Sequence, residues 1–357
     1  MIKINYHGGD IYKYTQHVID FSSNINPLGI PKSFRDALTD NLSCIERYPD
    51  LHYRKLTASI EKYLQIENRN LGVVLGNGAI EVIYKTIEYL PIKKIIVATP
   101  TFSEYRRAAV LNNIPIDEVN LYDADGKLDM EKLLTLVEEQ VLVILCNPNN
   151  PTGSLTPKEE LMVLANKLNE HNGYLMVDET FIEFTSNYPA GSLLDSEIKN
   201  LVIIRALTKY FGMPGLRLGY GVFMNRDIGE EVNKLMEPWH INALADLAGQ
   251  IVLHDLEYQN ASRRWIMEER PRFLKELEKL NHFSFLPTEA NFIMMTSKKI
   301  PSSEIQEFLL ESDLIIRLPI GFKGLNENHF RIAIKDEGSN RKMFRALEKI
   351  DQNLSKE

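Results

Sequence analysis

Four stretches of this sequence place polar side chains directly after apolar runs, where they could act together. After 71-LGVVLG-76 comes Asn77-Gly78-Ala79-Ile80-Glu81, a glycine turn that opens a helix. Glycine permits close backbone approach, and the first amides of a helix face outward at the positive end of its dipole, an arrangement suited to a small phosphate. After 141-VLVILC-146 comes 147-NPNNPTG-153, a stiff turn presenting Asn150. The run 173-GYLMVD-178 closes on Asp178, followed by Glu179 and Phe181; 201-LVIIRA-206 leads to Thr208 and Lys209, then to 212-GMPGLRLGY-220 with Arg217. A carboxylate can keep a pyridine nitrogen protonated, a lysine amine can bond to an aldehyde, an amide can meet a phenolic oxygen, and arginine can neutralise a phosphate. Together these are the requirements of pyridoxal phosphate. Singly each residue has a plainer reading: a helix cap for Asp178, a turn former for Asn150, a solvated charge for Lys209, an unliganded turn at Gly78. Their joint order and spacing favour the cofactor.

Those residues need a frame that brings them to one edge. Between about residues 70 and 225 short apolar runs alternate with amphipathic segments such as 79-AIEVIYKTIEYL-90 and 157-PKEELMVLANKLNE-170, the rhythm of an α/β domain. Strands are predicted at 71–76, 94–99, 141–146, 173–178, 201–206 and 218–223, and their continuous apolar character suits a mainly parallel sheet covered on both faces. In such sheets ligands collect beyond the carboxyl ends of the strands. Past residue 243 a long helical stretch to 280 contains Pro271, followed by strands near 291–296, 314–317 and 330–335 and a helix near 340–351. We expect residues 41–242 to form the large cofactor domain, 243–357 a smaller α+β domain, and 1–40 an irregular arm packing on the latter.

Composition narrows the function classes. The 357 residues carry 41 Lys and Arg against 49 Asp and Glu, a formal charge of -8, which disfavours a general nucleic-acid binder. Two cysteines, Cys44 and Cys146, are too few for a disulfide framework, and no Cys/His pattern indicates a metal. No apolar run nears the roughly 20 residues of a membrane span, and the start MIKINYHGGD has no signal-peptide core. A cytoplasmic protein without a membrane partner is expected.

On these motifs the chain resembles the aspartate-aminotransferase-like superfamily of fold type I pyridoxal phosphate enzymes, over nearly its whole length, in the branch of histidinol-phosphate aminotransferases and threonine-phosphate decarboxylases. The resemblance implies that Lys209 is the Schiff-base lysine, Asp178 the partner of the pyridine nitrogen and Asn150 that of the ring oxygen. It implies a phosphate cradle of Gly78, Ala79, Ile80, Thr208 and Arg217, with Phe102 of 100-PTFSEY-105 stacked on the ring. Tyr48, in 46-ERYPD-50, resembles a tyrosine reaching the neighbouring subunit's cofactor, which implies a homodimer. Ala206 and Ile80 depart from the family, since Ser or Thr often stands at the first position and a polar residue at the second.

Within the branch, 7-HGGD-10, 20-DFSSNINPLGIP-31, 41-NLSCIERYPD-50, 205-RALTKYFGMPGLRLGY-220 and 238-PWHINALADLAG-249 look most like the decarboxylases. Phe181 agrees, because the aminotransferases usually carry Tyr there. The resemblance implies decarboxylation of a small phosphorylated amino acid, O-phospho-L-threonine, to an aminopropanol phosphate for cobalamin. Arg317 and Arg331 resemble substrate-anion arginines, and the arginine fork suits an oxyanion; His7 resembles a ligand of the substrate phosphate, and Asn24 and Asn26 are expected at the mouth. Two rivals are transamination of histidinol phosphate and decarboxylation of O-phosphoserine, which differs from the threonine ester by one methyl group. A ligand-binding module without activity is a further alternative.

Overall fold

Six predicted runs become strands of one sheet in the computed structural model, which describes residues 7–356. Twelve strands occur in chain order among the described residues: β1 Ile19–Asp20, β2 Gly72–Gly76, β3 Lys94–Thr99, β4 Ile116–Asn120, β5 Val141–Cys146, β6 Tyr174–Asp178, β7 Leu201–Ala206, β8 Gly219–Phe223, β9 Phe283–Phe285, β10 Phe292–Ser297, β11 Leu314–Ile315 and β12 His329–Ala333. The large sheet has seven of them in the order β2-β8-β7-β6-β5-β3-β4. β5 and β7 are buried at every position, because helices such as Ala79–Tyr89 and Lys158–Glu170 cover the sheet through Val82, Ile83, Ile87, Leu161, Leu164 and Leu168.

Only β8 runs against the others, and this decides where Arg217 lies. Its first residue, Gly219, pairs with Ala206 of β7 and Gly76 of β2. The residues just before β8 therefore share an edge with the carboxyl ends of the parallel strands. Gly219 is required there, since a Cβ would stand 2.2 Å from the Ala79 nitrogen.

Several elements differ from the sequence expectation, among them the short strand β9. β4 escapes notice because it is an edge strand of half-buried and exposed residues, IDEVN, without the apolar run of its neighbours. The stretch 243–280 is two helices, Ala243–Val252 and Leu256–Leu277; the break comes where the Asp255 side chain caps the second helix by accepting from the Tyr258 amide, and the helix continues through Pro271. The arm is not wholly irregular: it contains the helix Lys32–Asn41, with Phe34 buried, while residues 1–6 lie outside the described residues. β1 of the arm pairs in parallel with β11, and the Phe21 carbonyl accepts from the Ala333 amide at 2.8 Å. The arm thus adds a strand beside the antiparallel β12-β10-β9 sheet.

Behind the sheet edge, Arg205 of β7 is fully buried between Glu179 and Glu183. Its Nη2 lies 2.8 Å from Glu179 Oε2, and Glu179 Oε1 also accepts from the Leu193 amide. This network pins the turn directly after Asp178. Replacing Arg205 by Leu would leave two buried carboxylates uncompensated, and urea denaturation is expected to show a loss of about 3–5 kcal/mol; an unchanged midpoint would show that the turn holds without it.

Candidate active site

The carboxyl edge of the large sheet opens on a cleft of about 260 Å³. Parallel register sets Cys146 beside Asp178 and Asp178 beside Ile204, so the loops after β5, β6 and β7 leave from one level. Asp178, Asn150 and Lys209 all line this cleft. Asp178 is buried; Tyr105 Oη donates to its Oδ2 at 2.8 Å, and the Thr180 amide donates to Oδ1 at 3.0 Å. Burial pushes the carboxyl up, and the Thr180 and Tyr105 bonds oppose that rise.

Lys209 lies on the one-turn helix Leu207–Tyr210. Burial pushes its amine down to about 8, and the charges of Arg331 and Arg217 add to the fall. Asn26 does not line the mouth as expected. It lies behind this helix, where its amide accepts the task of a strut: its backbone donates to the Lys209 carbonyl at 3.1 Å, and Nδ2 donates to the Tyr210 carbonyl and Ser262 Oγ, each at 2.7 Å. With its own Oδ1 taking the Leu28 amide, the side chain is satisfied away from the cleft.

The three asparagines of 147-NPNNPTG-153 divide their work. Asn147 exchanges hydrogen bonds with the Thr156 backbone, and Asn149 donates to the Pro100 carbonyl and Thr152 Oγ1, both at 3.0 Å. Asn150 alone of the three lines the cleft, with Oδ1 accepting from Arg331 Nη1. Ala206, Thr208, Ala79 and Ile80 also reach it. Gly78, at φ +83°, caps the helix Ala79–Tyr89 without a side-chain bond, and a Cβ there would fall 2.3 Å from Arg217 Nη2. The arginine head thus lies directly over a helix amino end, an open cradle for an anion.

Phe102 and Phe181 line the cleft as apolar walls, Phe102 with its ring 5.8 Å from the His7 imidazole and Phe181 edge-on to Phe292 at 5.0 Å. His7, Asn24, Arg317 and Arg331 line the cleft as well. Arg317 and Arg331 are buried and exchange backbone hydrogen bonds at 2.9 and 3.0 Å. Burial lowers Arg317 to about 10 and Arg331 to about 9, the latter also through Arg317. Arg331 Nε and Asn24 Oδ1 are buried without a hydrogen-bond partner. Tyr48 does not line its own cleft: it is 78% exposed and its ring lies 4.5 Å from that of Trp239.

Sequence reasoning passed over Tyr105 and Glu104. Both belong to 100-PTFSEY-105, and the signal was helical: they start the helix Glu104–Leu111, so their side chains meet the same edge as Phe102. Among the described residues no group of three or more His, Cys, Asp or Glu side chains could hold a metal ion. The cleft fits pyridoxal phosphate on its own geometry. It offers a buried carboxylate, a lysine amine drawn toward neutrality and a cradle over Gly78 that any side chain would fill.

Comparison with known proteins agrees with this geometry. Residues 16–350 match the family described as aminotransferase class I and II. A protein of Caldanaerobacter subterraneus subsp. tengcongensis, provisionally named a threonine-phosphate decarboxylase, is 36% identical over 344 residues, covering 96% of this chain and 92% of its own. The threonine-phosphate decarboxylase of Salmonella typhimurium is 33% identical over 352 residues, covering 96% of each chain. Among solved structures, the histidinol-phosphate aminotransferase of Clostridium acetobutylicum superposes with a TM-score of 0.88 and 38% identity, covering 93% of this chain and 99% of its own.

The lowered Lys209 amine sets a pH dependence. Only the neutral amine attacks an aldehyde, so covalent capture of added pyridoxal phosphate by cofactor-free protein should rise through a midpoint near 8 and then level off. A rate that climbs steadily to the ordinary lysine range, or borohydride trapping that maps to another lysine, would contradict the assignment. Stability follows the same sign: the unfolded chain holds the proton that the folded Lys209 has lost, so the cofactor-free fold gains stability as pH rises from 8 toward 10.5.

Proposed function

Because the chain belongs to the family of class I and II aminotransferases, we propose that it is a pyridoxal-phosphate-dependent carboxy-lyase converting O-phospho-L-threonine to (R)-1-aminopropan-2-ol phosphate. We further propose that it works in the cytoplasm as a homodimer and that its product serves cobalamin assembly. The observation that carries this reading is Arg331, buried in the cleft beside Arg317 with its Nε unpaired, in addition to the Gly78–Arg217 cradle. A cofactor occupies one anion site; the other calls for a second, on the substrate.

Asp178 would hold the proton of the cofactor's ring nitrogen, Asn150 the ring oxygen, and the amides at Gly78, Ala79 and Ile80 with Thr208 and Arg217 the phosphate. Phe102 and Phe181 would wall the ring. When bound, pyridoxal phosphate supplies an electron sink for the pair left at the α-carbon as carbon dioxide departs. The chain's task is orientation, since only a bond perpendicular to the ring plane breaks readily. Arg317, Arg331 and His7 would bind the substrate phosphate and so fix which α-carbon bond stands upright. Asn24, with its buried unpaired Oδ1, would meet a substrate donor. Lys209, with its amine near 8, can give a proton to the α-carbon close to neutral pH.

The 38% identity to a protein named histidinol-phosphate aminotransferase favours a second reading, transfer of an amino group from that amine. Phe181 weighs against it, because its ring brings no hydroxyl to the cofactor oxygen and instead packs on Phe292. Parallel incubation with O-phospho-L-threonine, O-phospho-L-serine and histidinol phosphate decides. Carbon dioxide and aminopropanol phosphate from the threonine ester are expected, without glutamate from 2-oxoglutarate. Faster turnover of histidinol phosphate with glutamate formation would replace the lyase reading by the second one. Preference for the serine ester would change the substrate alone, a difference of roughly 1–3 kcal/mol for one methyl group.

Tyr48 supports the dimer, since it is exposed, packs its ring at a tilt against Trp239 and does not line its own cleft. If it completes the partner's site, mixing Tyr48→Phe with Lys209→Ala subunits yields hybrid dimers with one undamaged site. Recovery toward half of wild-type activity is expected. Hybrids as inactive as the Lys209→Ala parent would show that Tyr48 does not cross to the partner's site.

A further inference from the structure

Arg317 and Arg331 form an antiparallel bridge, each amide donating to the other's carbonyl, at 3.0 and 2.9 Å. Residues directly opposite across such a bridge project from the same face, and like charges in that relation repel. Both side chains are buried, where water screens the repulsion poorly. Burial first, and then the charge of Arg317, lower Arg331. Among the described residues the hydrogen-bond partners of the Arg331 head are neutral oxygens, Asn150 Oδ1 and the Ser22 carbonyl, and its Nε has none. Two guanidinium groups side by side therefore need local support before any anion arrives.

Phe322 lies where such support would act. Its ring centroid is 4.8 Å from Arg317 Cζ and 6.0 Å from Arg331 Cζ, and Phe292 backs Arg331 with a second ring at 5.1 Å. The face of an aromatic ring is its negative pole, and it attracts a cation more strongly where water is excluded. The loop that carries Phe322 is built to deliver it. The Phe322 amide donates to the Pro319 carbonyl at 2.9 Å, closing a turn whose third residue, Gly321, has φ +89°. A positive φ at that position marks a type II turn and is the reason a glycine stands there. The same loop grips the first arginine with its backbone: Arg317 Nη1 donates to the Leu318 carbonyl at 2.9 Å and Nη2 to the Ile320 carbonyl at 2.8 Å. Ile320 is 52% exposed, whereas Phe322 is buried and lines the cleft.

We propose that Phe322 is a positioning residue that holds Arg317 and Arg331 side by side, so that one tetrahedral dianion, the phosphate of a phosphorylated amine, meets both. The ring acts through the two arginines, and the turn at 319–322 aims the ring. The inference rests on the reading of the cleft as a site for a phosphorylated amine.

The test compares ring-bearing and ring-free variants of the holoenzyme, with cofactor absorbance confirming that each is loaded. Phe322→Leu and Phe322→Met keep an apolar side chain and remove the ring. Each is expected to raise KM for O-phospho-L-threonine about ten-fold with little change in kcat, the pattern of lost substrate binding. Inorganic phosphate, used as a competitive inhibitor, should lose affinity by the same factor. Phe322→Tyr retains the ring face and should keep KM within about two-fold of wild type. In an Arg317→Gln background the effect of Phe322→Leu should shrink to about three-fold or less, because one of the cations the ring holds is gone. A wild-type KM in both ring-free variants, an equal loss in Phe322→Tyr, or losses that multiply in full on Arg317→Gln overturn the proposal. The two readings fail separately. Carbon dioxide release from the threonine ester, with KM unchanged in the ring-free variants, removes the role of Phe322 and keeps the lyase. Amino transfer from histidinol phosphate, with its KM raised about ten-fold in Phe322→Leu, removes the lyase and keeps the role of Phe322.

Discussion

Three parallel strands that end at one level are the constraint on which this molecule's chemistry depends. The ladder linking Cys146, Asp178 and Ile204 leaves no slack between β5, β6 and β7, so a carboxylate, an amide and an amine emerge within one cleft. A one-residue slip in any of these pairings would send alternate side chains to the opposite face of the sheet. The burial of every residue of β5 and β7 makes such a slip costly, since both faces are packed by helices. The reversed strand β8 completes the arrangement by returning Arg217 to the same edge that the parallel strands leave.

Electrostatics explains why this edge suits anions. Lys209, Arg317 and Arg331 are all pulled toward neutrality by burial, the signature of cations gathered where water cannot screen them. Asp178 is the acidic side chain on the floor of the cleft, and Tyr105 and Thr180 already bind it. Two phosphates, one from the cofactor and one from a substrate, would restore the balance. Asn150 stands between these halves, since the oxygen that accepts from Arg331 belongs to the amide assigned to the cofactor ring. Changes on the substrate side therefore reach the cofactor side through one side chain.

The central sheet and its polar ends were legible because a strand buried on both faces must be apolar throughout, which makes Asp178 conspicuous at its end. Lys209 and Arg217 follow from the same rule. What the sequence concealed depends on long-range contact. Asn26 looks like any asparagine of a polar arm until folding places Tyr210 and Ser262 within its reach. Glu104 reads as an ordinary acidic residue in a first helical turn until His7 arrives from 97 residues away. β4 was hidden for another reason: an edge strand need not be apolar. The break before Leu256 was local and readable, for Asp255 is a good cap, whereas the helix runs on through Pro271.

The two thiols differ in a way that makes the molecule addressable. Cys146 is buried beneath the cleft, its Sγ donating to the Pro148 carbonyl at 3.2 Å, and burial pushes its acidity far toward the unreactive thiol. Cys44 is partly open to solvent, on the short helical turn Leu42–Glu46 that leads to Tyr48. A maleimide dye therefore has one favoured attachment point in the natural sequence. A fluorophore there sits four residues from Tyr48, so its emission and rotational mobility would register whatever surface comes to rest against that ring.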